Sequence, residues 1–199
     1  MLVVTVKNVH AVAHDACRRL IDPVDRIEDG HNLRMRYPLT YVIDRPLESA
    51  PLWGGMDPFN AYKGRLAWAG TQVLFADGLL QGAKAMKNDP IQMALAIGDV
   101  GRVHFQHNEA LEALVVEPFM DAVDFDLGRA SFLMELLAAA GDMQVGRMWL
   151  TSPAFCVRNC NAEHADKVAR CALQDPYAHF SHRLIGEDVD RLMSELPVM

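Results

Sequence analysis

The stretch from Gly128 to Cys171, GRASFLMELLAAAGDMQVGRMWLTSPAFCVRNCNAEHADKVARC, decides the fold. Apolar residues recur at i, i+1, i+4, i+5 and i+8 in its first part (Phe132, Leu133, Leu136, Leu137 and Ala140). This spacing predicts a helix of about three turns with a wide apolar face. Gly141 follows where a left-handed C-terminal cap is expected. Next, Val145 to Leu150 is predicted to be a buried strand, and Asn161 to Leu173 a second helix. A helix that leads into a strand belongs to a core, so we expect the rest of the chain to pack around it.

Length, charge and cysteine use limit the class of protein. With 199 residues and 51% hydrophobic content, the chain can bury a full core, and we expect one domain over residues 1–199. The net charge is −7 and the basic residues are scattered, so no footprint for nucleic acid is visible. No apolar run is long enough for a membrane helix, and the N-terminus does not resemble a signal peptide. Cysteines without an export signal favour free thiols in a reducing compartment, so we expect a cytoplasmic protein.

The periodicity along the chain predicts a mixture of strands and helices. The predicted strands are Leu2–Val6, one continuous alternating strand from Leu33 to Ile43, Arg102–Gln106 and Leu111–Pro118. The predicted helices are Val9–Ile21, Phe59–Gly70 and a docking helix within Tyr177–Met199. Pro90–Ile97 is a short apolar element, Asp44–Pro58 is a loop, and Val73–Met86 is only weakly periodic. Strands that do not alternate strictly with helices indicate an α+β domain with a mixed or antiparallel sheet.

Three stretches resemble thymidylate synthase and the related pyrimidine nucleotide hydroxymethylases. They are DGHNLRMRYPLTYVIDRP, then DPFNAYKGRLAWAG, and finally VHFQ, LEALVVEPFMD and DFDLGRASFLMELLAAAGDMQVGRMWLTSPAF in that order. The resemblance implies a mixed sheet packed against a long central helix, and a homodimer formed through the sheet. It also implies one-carbon transfer at C5 of a pyrimidine nucleotide, with folate as cofactor only if the family chemistry is retained.

The residues that carry the family's chemistry are largely replaced in this shortened, divergent sequence. The family uses a thiolate that adds to C6 of the pyrimidine. Gly98, Asp99, Val100 and Gly101 occupy its place. The paired arginines that hold the nucleotide phosphate should precede Leu95, where NDPIQMAL contains no arginine. If the protein is active, Asp99 or Cys156 would have to replace the lost nucleophile.

The resemblance also suggests a set of substrate-binding residues. Asp121 and Asp126 persist, and Asp126 stands where family members that read cytosine have Asp. A carboxylate can accept a hydrogen bond from the exocyclic amine of cytosine. Equally, the acidic turn around Asp126 can cap the helix that follows. The other candidates are Arg26 for the phosphate, Arg158 and Cys156 at the family's sugar-binding positions, and His104, which alternation can direct towards the pocket.

Cys156, Cys160, His164 and Cys171 form a second constellation. On one helix the first three would lie along a single stripe, where soft ligands can bind zinc. Structural zinc sites usually pair cysteines more closely across a turn, and cysteines are often simply buried. We therefore assign no metal ligand, and keep a relocated thiol nucleophile at Cys156 as a third interpretation.

Two functional hypotheses from different classes follow. The first is a divergent thymidylate synthase-like enzyme or its pseudo-enzyme descendant, which binds a pyrimidine nucleotide. The second is a non-catalytic dimeric scaffold or binding subunit that has kept only the framework. A zinc-supported module is a third hypothesis.

Overall fold

Strands and helices alternate irregularly along the chain. The computed structural model describes residues 1–29, 32–47, 76–88, 93–97, 101–116, 127–152, 156–157, 163, 166–167 and 184–194. Within these ranges the strands are β1 Leu2–Val6, β2 Arg26–Asp29, β3 Asn32–Met35, β4 Leu39–Ile43, β5 Met93–Ile97, β6 Gly101–His107, β7 Leu111–Val116, β8 Val145–Ser152 and β9 Cys156–Val157. The longer helices are α1 Val9–Ile21, α2 Ala76–Met86, α3 Leu127–Gly141 and α4 Gly186–Ser194. The predicted helix Phe59–Gly70 and most of Asn161–Leu173 lie outside the described residues.

The described strands form a six-stranded sheet, in the order β1-β4-β8-β7-β6-β5, and a three-stranded sheet, β2-β3-β9. In the large sheet β1 is parallel to β4 and β7 is parallel to β8, while its other neighbouring strands are antiparallel. Helices α1 and α3 pack against strands, and α2 and α4 pack against α3. The α+β prediction, with a mixed sheet against a long central helix, is therefore confirmed.

The N-terminal strand and helix have the predicted bounds. The β-branched run Leu2–Val6 forms β1, since branched side chains suit a pleated surface. Asn8 caps α1, its side chain accepting a hydrogen bond from the backbone N–H of Ala11 at 3.1 Å. The helix ends at Ile21, two residues before Pro23, as the sequence predicts.

The predicted continuous strand from Leu33 to Ile43 is wrong, because two strands in different sheets share this stretch. β3 belongs to the small sheet and β4 to the large one. Pro38 lies between them; proline restricts the preceding residue and cannot donate to a ladder. The predicted single buried face is found in β3, where Leu33 and Met35 are buried, but not in β4, where all five residues are buried.

Helix α2 was not predicted, since Gly78 and Gly82 weaken its helical pattern. Ala83 and Met86 are fully buried in the core, so packing against α3 compensates for the low propensity. The strands predicted at Arg102–Gln106 and Leu111–Pro118 are confirmed as the antiparallel pair β6–β7.

The central helix α3 is more completely enclosed than its sequence predicts. Every residue from Ala130 to Ala138 is buried, so the helix lies within the core rather than showing one apolar face to it. Ser131 and Glu135 are the polar members of this run, and each makes a buried hydrogen bond. The helix leads into β8, which extends past the predicted Leu150 to Ser152.

The cap of α3 is one residue later than predicted. Asp142, not Gly141, has the left-handed conformation, with φ of 49°. The N–H of Met143 donates to Ala138 O at 2.8 Å, and that of Asp142 to Ala139 O at 3.3 Å, which is a Schellman arrangement. Gly141 instead permits close packing on α2, because a Cβ there would come within 2.7 Å of Ala83 O.

Candidate functional site

The large sheet has two different faces. On one, side chains such as Tyr41, Phe105 and Leu150 are fully buried in the core with the helices. On the other, which we call the open face, a row of register-paired residues crosses the strands. This row consists of Thr5, Val42, Trp149, Leu114 and His104, of which Val42 is buried. The predicted substrate-binding residue His104 therefore lies on the open face, opposite the core.

A cavity of about 340 Å³ occupies the open face over β6, β7 and β8. It is lined by His104, Phe105, Gln106, Glu112, Ala113, Leu114 and Trp149. Leu114 is 41% exposed, and further along the face Val3 is 52% exposed, although both are apolar. These two side chains lie three strands apart in the sheet, with the buried residues of β4 between them.

The predicted phosphate-binding residue, Arg26, lies in β2 of the small sheet. Its guanidinium donates to Ile21 O at 2.7 Å and to Leu20 O at 3.4 Å, the carbonyls at the end of α1. It also forms a salt bridge with Glu28 at 2.7 Å. A cation that binds the last carbonyls of a helix stabilises its C-terminus. To bind phosphate, Arg26 would have to share or release these contacts.

The small sheet contains two of the predicted site residues, on its two outer strands and at alternating register positions, so they do not share one face. β9 contains Cys156, and its register partner in β3 is Arg34. β3 pairs on its other side with β2, which contains Arg26. Arg34 is thus the arginine paired with Cys156. Only the register of strands from distant parts of the chain reveals this pairing.

A buried polar cluster joins α1 to β4. The carboxylate of Asp15 accepts hydrogen bonds from Arg19 Nε at 2.6 Å, Arg18 at 3.1 Å and the Tyr41 hydroxyl at 3.1 Å. Burial, together with the negative charge of Asp15, raises the pKa of Tyr41 well above its usual value. Tyr37 lies nearby, and burial and a hydrogen bond with Asp25 raise its pKa as well. Since Asp15 has these donors close by, this cluster has a structural role.

The remaining predicted site residues lie outside the described part of the chain. Asp99, Asp121, Asp126 and Arg158 are among them, as are Cys160, His164 and Cys171. Within the described residues, no group of three or more His, Cys, Asp or Glu side chains is placed to hold a metal ion. Cys17 is buried in the core and forms no disulfide. No described helix is long and apolar enough to span a membrane.

Comparison with solved structures finds a protein of similar fold. A solved structure titled thermostable thymidylate synthase A, from Bacillus subtilis, aligns with a TM-score of 0.53 and 11% sequence identity. The alignment covers 82% of this chain and 84% of that one. No family profile and no curated protein matches the sequence. At this identity the likeness establishes a thymidylate synthase-like fold.

Proposed function

We propose that this protein binds a pyrimidine nucleotide in a thymidylate synthase-like framework, as a divergent enzyme or a pseudo-enzyme. The observation that supports this most strongly is the fold likeness over 82% of the chain. In this proposal Asp126 reads a cytosine edge, Asp121 and Arg158 contact the nucleotide, and Arg26 binds its phosphate. If the protein is active, it transfers a one-carbon unit to pyrimidine C5.

One buried hydroxyl lies on the core side of the large sheet, opposite Leu39 of β4. Ser152, at the end of β8, is fully buried, and its Oγ has no hydrogen-bond partner within the described part of the chain. Buried polar atoms are rarely left unpaired in native proteins unless a water molecule or ligand completes them. Ser152 precedes Cys156 by four residues. Because this hydroxyl lies in the core, the nucleotide proposal does not depend on it.

Thermal unfolding with dCMP, dUMP and CMP tests the nucleotide proposal. A ligand that binds the native state raises the unfolding midpoint, and dCMP should give the largest rise if Asp126 reads cytosine. Asp126→Asn should reverse the preference towards dUMP, because an amide complements the uracil edge. No shift with any of the three at millimolar concentration would contradict the proposal.

The replacement nucleophile can be tested at Cys156. Cys156 is the register partner of Arg34, and a guanidinium close to a thiol favours the thiolate, so we predict that Cys156 reacts with iodoacetamide faster than an ordinary thiol. The Arg34→Met variant should slow this reaction and shift its pH dependence upwards. If Cys156→Ser and Asp99→Asn both leave C5 transfer unchanged, neither residue is the nucleophile.

We propose the homodimeric scaffold as the second candidate, and the open face supports it. Trp149 and Leu114 are uncharged register partners on this face that a second copy could cover through a two-fold axis. Exposed Leu114 and Val3 would then become buried. Charge-poor, aromatic-containing surfaces are typical of interface cores.

Sedimentation across a concentration series tests the dimer. Leu114→Glu places a charge in the row and should shift the protein to monomers. Val24→Glu is the matched control, because Val24 is apolar and 74% exposed but lies outside the large sheet. A wild-type protein that is monomeric throughout, or equal effects of both variants, would contradict this interface. Dimerisation without any nucleotide effect favours the scaffold hypothesis.

A further inference from the structure

Two buried polar residues on the central helix each hold a different part of the chain. Ser131 Oγ donates to Pro46 O at 2.5 Å, which fixes the segment after β4. One turn later, Glu135 Oε1 accepts the backbone N–H of Leu184 at 3.1 Å, just before α4. Glu135 is only 3% exposed. A buried carboxylate is costly unless its hydrogen bonds are made, so its position in this helix calls for a role.

The C-terminal helix α4 has the features of a separate structural unit. It has nine residues, and a helix this short is not stable alone in water. Its N-terminus is capped by one of its own side chains, since Asp188 Oδ2 accepts a hydrogen bond from the N–H of Ile185 at 3.1 Å. Leu184 and Val189 are buried, and α4 packs on α3. Its stability therefore depends on docking.

We infer that Glu135 is the positioning residue that closes α4 onto the central helix, and that α4 opens as a unit while the large sheet stays folded. We call the Glu135 carboxylate and the Leu184 N–H the clasp. When α4 is closed, the clasp satisfies a buried donor. When α4 opens, both groups meet water, and the carboxylate becomes accessible beside the α3 surface that α4 had covered. The clasp is thus a conformational device that controls exposure of one side of the central helix.

Removal of the acceptor should shift this equilibrium in a measurable way. In Glu135→Leu the Leu184 N–H stays buried without a partner whenever α4 is closed, which favours the open form. Amide hydrogen exchange in residues 184–194 should then accelerate by about 5- to 100-fold. Glu135→Gln keeps an acceptor oxygen and should change this exchange by less than about 3-fold. Exchange in β7 and β8 should stay the same.

A substitution on α4 itself tests the inference in the opposite direction. A Cβ at Gly186 would lie 3.7 Å from Ala139 O, which is ordinary van der Waals contact. Gly186→Ala should therefore favour the helix without a clash and slow exchange in residues 184–194 by about 2- to 5-fold. Ser131→Ala is the control on the same helix, since it removes the Pro46 contact and leaves the clasp intact.

Hydrogen–deuterium exchange followed by mass spectrometry, on the full chain, decides between the outcomes. Selective changes in residues 184–194, in opposite directions for E135L and G186A, support the clasp. Equal changes in β7 and β8 overturn it, because α4 would then open only with global unfolding. Unchanged exchange at 184–194 overturns it too, as would an S131A effect on α4 as large as that of E135L. If E135L does not fold, the other two variants decide: slower exchange in residues 184–194 of G186A, with a change of less than about 3-fold in E135Q, supports the clasp.

Discussion

At the scale of single residues, Asp15 stabilises the junction between α1 and β4. Its carboxylate binds Arg19, Arg18 and the hydroxyl of Tyr41, which is fully buried. A buried phenol can be accommodated only with its proton in place and its hydroxyl paired. Tyr41 meets both conditions, because burial and the charge of Asp15 strongly disfavour the phenolate.

The Tyr41→Phe variant should alter stability in alkali. The ordinary pKa of tyrosine is 10.0, and in the folded protein that of Tyr41 is raised. The stability that Tyr41 contributes is fully present below about pH 10. Above that pH the unfolded chain binds fewer protons than the native one, so the free energy of unfolding falls as pH rises. Y41F removes this contribution and should lose less stability between about pH 8 and about pH 11. Tyr37 titrates in the same direction, so a smaller slope should remain.

Urea unfolding at each pH measures this effect. At neutral pH, Y41F should cost about 1 kcal/mol for the lost hydrogen bond to Asp15. An alkaline slope as steep as that of the wild type would contradict the role given to Tyr41.

At the scale of elements, helices α2 and α3 meet at Gly141. A Cβ at this position would lie 2.7 Å from Ala83 O and 2.6 Å from Met143 Cε. The methionine can rotate away, but the carbonyl belongs to the α2 backbone and cannot move without shifting that helix. Gly141→Ala should therefore destabilise the protein by about 1–3 kcal/mol despite the better helix propensity of alanine.

Chemical denaturation of Gly141→Ala beside Gly186→Ala measures this cost. Both glycines lie in helices, but the second has room for a methyl group. Equal stability of the two variants would show that α2 and α3 can separate slightly without cost.

These elements also show how far the sequence alone could lead. The periodic stretches gave β1 and α1 with the observed bounds, because local pattern and tertiary packing agree there. Helix α2 could not be predicted from local propensity, since burial of Ala83 and Met86 outweighs its two glycines. The break at Pro38 and the change of sheet there were both missed, because the apolar alternation continues across the proline and sheet membership depends on distant strands.

The candidate site was harder to predict than the fold. The pairing of Arg34 with Cys156, and the row from Val42 to His104, depend on register between segments far apart in the sequence. Arg26 could be recognised as a cation in a useful position, but its contacts with Leu20 and Ile21 depend on where α1 ends in space. The chemistry of a side chain follows from the sequence, whereas the residues that it contacts are known only from the tertiary structure.

At the scale of the whole molecule, the centre of the large sheet joins the two halves of the chain. β4 lies between β1 and β8, and the hydroxyls of Thr40 and Thr151, 111 residues apart, lie 3.1 Å from each other. A chain truncated after Gly141 lacks β8 and so separates β1–β4 from β5–β7. We expect it to be digested rapidly by trypsin, while a chain ending at residue 194 resists. Equal resistance of the two would contradict a central role for β8.

This long-range pairing has a consequence for biosynthesis. As the polypeptide leaves the ribosome, β4 emerges early but has no partner on its second edge until β8 has been made. Sequence-distant contacts close slowly because loop entropy must be overcome first. The nascent chain therefore presents an unfinished, aggregation-prone strand edge while the residues between β4 and β8 are made, and it should depend on holdase chaperones until β8 has emerged.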